Sequence, residues 1–96
     1  LTYTFVIQNF GNAPVVATDD AVVTDTFDPI LSDLTVTFNG ATWAEGVQYT
    51  YDGATGAFAT IPANITVPAA TYSQNPVTGA WTVVPGVSTL VVVGPV

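Results

Sequence analysis

Apolar and polar residues alternate in short runs along this chain, and a turn signal cuts off each run within a few residues. That pattern admits few folds. A period of two gives a strand one inward and one outward face. Leu1, Tyr3, Phe5 and Ile7 share one face of the first run, opposite Thr2, Thr4 and Gln8. Asn9-Phe10-Gly11-Asn12-Ala13-Pro14 then breaks it. Ala21–Thr24 predicts a second strand that ends near Asp28-Pro29. Leu34–Phe38 alternates again and runs into Asn39-Gly40, the strongest short hairpin signal. Val47, Tyr49 and Tyr51 alternate with Gln48 and Thr50. Ser88–Val93 predicts the closing strand.

Two later segments, Tyr51–Phe58 and Gln74–Trp81, both end in Thr-Gly-Ala-aromatic. A type I turn followed by a left-handed Gly that forms a bulge predicts a hairpin at each. Pro68, between Ile65–Val67 and Ala70–Tyr72, predicts an edge strand or one that changes sheets. No segment has helical periodicity. Seven to nine short strands, with turns every 8–12 residues or so, predict one all-β domain over 1–96, an antiparallel β-sandwich.

Charge narrows the function. Charged residues are 7% of the 96 residues, against roughly 25% in an average soluble domain. All seven are acidic, with no Lys, Arg or His. No side-chain cation is present to neutralise phosphates, so neither nucleic acid nor an anionic membrane surface is an expected partner. Without Lys or Arg, trypsin-like proteases have no cleavage site, which suits an extracellular setting. Without Cys there is neither a disulfide framework nor a thiolate metal site. No apolar run reaches the ~20 residues that span a bilayer, so direct membrane insertion is not expected. The chain opens inside a strand pattern without Met, as expected of a segment from a longer precursor. Near its pI of about 4.1 it loses net charge and should self-associate.

Leu1–Pro14, with its Tyr-Thr strand leading into Asn-Phe-Gly, resembles the opening of the DUF11-type repeats of bacterial and archaeal surface proteins. Ala21–Phe27, containing Val-Thr-Asp-Thr, and Pro85-Gly86 followed by Ser88-Thr89-Leu90-Val91 resemble later parts of the same repeat. The resemblance implies an immunoglobulin-like sandwich found in tandem arrays, with no shared catalytic residues. Related adhesin stalk domains often carry a Lys–Asn isopeptide crosslink, which a chain without Lys cannot form.

Catalytic machinery is not expected. Serine or cysteine triads lack their His and Cys, and a P-loop lacks its Lys. Calcium is the one candidate cofactor. Asp19, Asp20 and Asp25, with Asp28 and Asp33 nearby, form an acidic cluster, and calcium takes hard oxygens from such loops. The spacing is not that of an EF-hand, and turn-forming Asp side chains explain it more simply. Trp43, Tyr49 and Tyr51, together with Tyr72 and Trp81, are candidate ligand aromatics for a sugar-binding face; core packing is the plainer explanation. Asn64-Ile65-Thr66 is a formal glycosylation triplet. Leu1, Tyr3, Phe5 and Ile7 in the first strand, and Leu90 and Val92 in the last, are candidate strand-pairing edges because neither run carries the charges that normally guard an edge.

The expected function is a structural repeat, a stalk or spacer of an extracellular surface or fibre protein, with neighbouring copies of the domain as partners in tandem or as a polymer. A filament subunit joined by strand complementation and a carbohydrate- or protein-binding adhesin module are the alternatives. A binding module requires an exposed aromatic cluster. Strand complementation requires a terminal strand detached from its own sandwich.

Overall fold

A computed structural model describes all residues, Leu1–Val96. It is all-β, and every pair of strands is antiparallel. Its strands are β1 (Thr2–Asn9), β2 (Thr24–Thr26), β3 (Thr35–Phe38), β4 (Ala41–Trp43), β5 (Tyr49–Tyr51), β6 (Ala57–Thr60), β7 (Thr71–Gln74), β8 (Trp81–Val84) and β9 (Gly86–Val93), with one 3₁₀ turn at Ala17–Asp19. One sheet has the order β1-β9-β3-β4, a second β2-β6-β5, and β7-β8 form a ribbon of their own.

The turn signals act where the sequence puts them. Asn39 and Gly40 both have positive φ, as the tight turn between β3 and β4 requires. The two Thr-Gly-Ala-aromatic loops close alike. Asp52 N–H donates to Ala57 O and Gly56 N–H to Asp52 O; Asn75 N–H donates to Ala80 O and Gly79 N–H to Asn75 O. Both glycines take the predicted left-handed conformation.

The two larger sheets meet over a shared core. Val36, Phe38, Leu90 and Val92 come from the first, and Tyr49 and Phe58 from the second, with Phe27, Leu31, Ile65 and Val67 filling from loops. Aromatic rings run through it from sheet to sheet. Tyr3 stacks on Phe27 at 4.6 Å, Phe27 meets Phe58 at 5.6 Å, and Phe58 meets Tyr49 at 5.6 Å. Burying such rings is the main stabilising term available to a chain without disulfides or ion pairs. Ser88, fully buried in β9, donates its hydroxyl to Thr66 O and so closes its own polar account.

β9 has partners on both sides. Thr2–Asn9 pair with Val93–Gly86, and Thr35–Phe38 pair with Val93–Leu90. Leu90 and Val92 are therefore not at an edge, contrary to the sequence expectation; both are fully buried in the sheet centre. The reason is topological, because alternation reports which face is buried and not which strand lies alongside. β1, with Tyr3, Phe5 and Ile7, pairs only with β9 and is an edge. Both terminal strands sit in their own sheet.

The chain ends lie together. The Leu1 amino group donates to Gly94 O at 2.7 Å, and Gly94 N–H returns a bond to Leu1 O at 3.0 Å. Ser32 N–H holds Pro95 O. At the opposite end of β1 and β9, Asn9 faces Gly86, and β8 runs on beyond Gly86 through Pro85. The molecule measures 57 × 27 × 20 Å, with a radius of gyration of 16.4 Å. A compact domain of this length would have about 12 Å. The excess reflects the β7-β8 ribbon, none of whose residues is buried.

Candidate functional site

The ribbon is set off by a proline on each side, Pro68 before β7 and Pro85 after β8. Its base is tight. A Cβ on Gly86 would lie 1.7 Å from the Pro68 carbonyl oxygen, so only glycine lets the segments that enter and leave the ribbon meet there. Two bonds fasten the ribbon to the loop after β1. Ala70 N–H donates to Gly11 O at 2.9 Å, and the Tyr72 hydroxyl donates to Phe10 O.

Tyr72 lies opposite Val83 and Gln74 opposite Trp81, so these four side chains share one face of the ribbon. That face and the loop border a shallow, open depression lined by Gly11, Asn12, Tyr72 and Trp81. Trp81 is 68% exposed, and Tyr72 and Phe10 about half. No charged side chain occurs anywhere in 53–96. The cleft thus pairs flat aromatic surface with the free amide of Asn12 and a tyrosine whose hydroxyl is engaged with Phe10 O, suited to an uncharged ligand with both apolar and hydroxyl faces.

The three aromatics singled out from sequence do not make such a face. Tyr49 is buried and stacked on Phe58. The Tyr51 hydroxyl donates to Leu31 O at 2.7 Å and accepts from Leu31 N–H at 3.0 Å, which engages it in the fold. Trp43 is half-buried and stacks on Phe38 at 4.9 Å. The correction follows from period two: Tyr49 and Tyr51 are on the same face of β5, and that face is the inner one.

The acidic cluster does not gather either. No group of three carboxylates comes close enough to hold a metal ion. Asp19 accepts from Val16 N–H at 2.8 Å in the 3₁₀ turn, Asp20 takes a left-handed conformation at its end, and Asp25 accepts from Thr26 N–H within β2. Asp19 and Asp20 are turn residues and Asp25 lies within β2, with the Asp19 and Asp25 carboxylates on separate backbone partners. Asn64 is half-buried, its amide donating to Ile61 O at 3.0 Å. The nitrogen that a glycan would occupy is thus already engaged.

Burial pushes the Tyr49 hydroxyl above its ordinary value of 10.0, and the nearby Glu45 carboxylate adds to the rise.

Sequence reading included Tyr72 and Trp81 among the aromatics but did not separate them from the core. In the sequence this hairpin is bounded by Pro68 and Pro85, but its isolation from both sheets is seen only in the fold. No family model, characterised protein or solved structure matches the chain.

Proposed function

We propose that this chain is a non-catalytic, extracellular binding domain of immunoglobulin-like type, akin to the DUF11 repeats it resembles, which holds a recognition hairpin away from its point of attachment. The observation that carries this reading is the exposed pair Tyr72 and Trp81 with Asn12, at the opposite end of β1 and β9 from Leu1 and Gly94. Chain continuing from either terminus would leave from one end, and the cleft would face outward at the other. The ligand class is an uncharged saccharide. The apolar C–H face of a pyranose would stack on Trp81, and its hydroxyls would bond to the Asn12 amide.

The structural-repeat reading takes a different form in this geometry. Were the chain to continue from both Leu1 and Val96, its entry and exit would lie side by side, and a repeat would hang beside the main chain. Both readings share the same partners in a surface array.

The test is titration of uncharged oligosaccharides against tryptophan fluorescence in a Trp43→Phe background, which leaves Trp81 as the reporter. A saturable change, lost in Asn12→Ala without loss of fold, supports the proposal. No response to any neutral saccharide, with binding instead to a protein surface, would reassign the ligand class. No binding to either would leave the pendant structural repeat as the function.

A further inference from the structure

β1 is the longest open edge in the molecule. The other open edges of the two sheets, β2, β4 and β5, are three residues each, and β2 carries Asp25. β1 pairs with β9 over eight consecutive positions without a bulge, and Leu1–Gln8 contains neither Pro nor a charged side chain. It has none of the usual guards against edge pairing.

The hydrogen-bond phase fixes which groups are free. Leu1 and Gly94 exchange both backbone bonds. In an antiparallel ladder such pairs alternate, so Tyr3, Phe5 and Ile7 also point their backbone groups at β9. Thr2, Thr4, Val6 and Gln8 therefore point theirs outward.

We propose that two copies of the chain join through β1 as antiparallel neighbours, extending the four-stranded sheet across a two-fold axis at Phe5. This register places Thr2 opposite Gln8 and Thr4 opposite Val6 of the other copy, uses every outward backbone group, and forms about eight hydrogen bonds. Phe5 faces Phe5, and Tyr3 faces Ile7. These side chains are half-buried in one copy, and the second copy covers their remaining exposed surface. A second copy is the fitting occupant because the strand is complementary to itself under this rotation. The seven carboxylates all lie in 19–52, outside the strand. Their mutual repulsion is screened beyond about 8 Å at physiological ionic strength, so added salt strengthens the pairing.

Sedimentation over a concentration series tests this independently of the ligand cleft. The 96-residue domain should form a concentration-dependent dimer that tightens with salt. Thr4→Pro removes an outward N–H and no bond to β9, a position where an edge strand tolerates proline. It should weaken the dimer at least ~10-fold, a loss of about 1.4 kcal/mol, while the melting temperature of the monomer stays close to the parent. Val6→Lys adds an edge guard without any backbone change, should also weaken the dimer, and decides the question alone if Thr4→Pro fails to fold. A parent chain that stays monomeric at every concentration, or a dimer that Val6→Lys leaves intact, overturns the proposal.

Discussion

The β5-β6 and β7-β8 hairpins have nearly the same turn and opposite fates. Each ends in Thr-Gly-Ala-aromatic, closes with the same pair of backbone bonds, and places its Gly at positive φ. An Asp or Asn side chain opens each loop in the same way: Asp52 accepts from Ala54 N–H and Asn75 from Val77 N–H. Yet Phe58 is 1% exposed and Trp81 is 68% exposed. Local turn chemistry thus builds a hairpin without deciding where it goes. Docking is decided by what lies beside it. β6 has β2 on its other side, and Phe27 N–H donates to Gly56 O, sewing the first loop into the core. The second hairpin has no strand beside it.

The sharpest way to break the comparison is to truncate the two equivalent aromatics. Phe58→Ala removes a ring that contacts both Phe27 and Tyr49, and should cost about 3–5 kcal/mol of unfolding free energy. Trp81→Ala removes an exposed ring and should stay within about 0.5 kcal/mol. Urea denaturation of both variants measures the gap. Similar losses would mean that the second hairpin is docked in solution, and the cleft would then belong to the core.

The glycines refine the same contrast. Both have positive φ, so any side chain at either meets the left-handed penalty of about 1–2 kcal/mol. A Cβ at Gly79 would find nothing nearer than the Gln74 amide at 3.9 Å, whereas one at Gly56 would lie 2.4 Å from the Phe27 carbonyl oxygen. Gly79→Ala should therefore cost only the conformational term. Gly56→Ala should cost more, because Phe27 must shift and with it the bond from its N–H to Gly56 O. Equal thermal shifts for the two variants would show that the Phe27 contact relaxes freely.

What the sequence discloses divides along the same line. The first and last strand runs, the Asn39-Gly40 turn and both Gly turns were legible because each depends on a few adjacent residues; the second run, Ala21–Thr24, was misplaced, since only Thr24 of it belongs to β2 (Thr24–Thr26). The order of strands was not. β9 read as an unguarded edge because it carries no charge, while the actual reason is that it lies between β1 and β3. The aspartates from 19 to 25 are close in sequence, but a 3₁₀ turn and a strand spread their carboxylates onto separate backbone partners. Among the candidate aromatics, Tyr49 and Tyr51 alternate as a surface strand would, yet they lie on the inner face of β5, and Trp43 stacks on Phe38; alternation alone does not say which face is inner.

The smallest expected effect concerns the ionisable group in the docked hairpin. Tyr49 stacks on Phe58, and its hydroxyl is held above the usual range first by burial and then by Glu45. The folded state thus favours the neutral phenol more than the unfolded chain does. That contribution is fully present below the unfolded value near 10 and is lost as pH rises through the folded value. Stability should accordingly fall in alkali more steeply than in Tyr49→Phe, which has no proton to lose there. Glu45→Gln removes the lesser cause and should recover only part of the difference, a few tenths of a kcal/mol for a charge at the surface. Denaturation at pH 8 and at about pH 11 separates the three. If the parent and Tyr49→Phe fall by equal amounts, the alkaline loss comes from other groups, and Tyr49 is hydrated despite its stacking on Phe58.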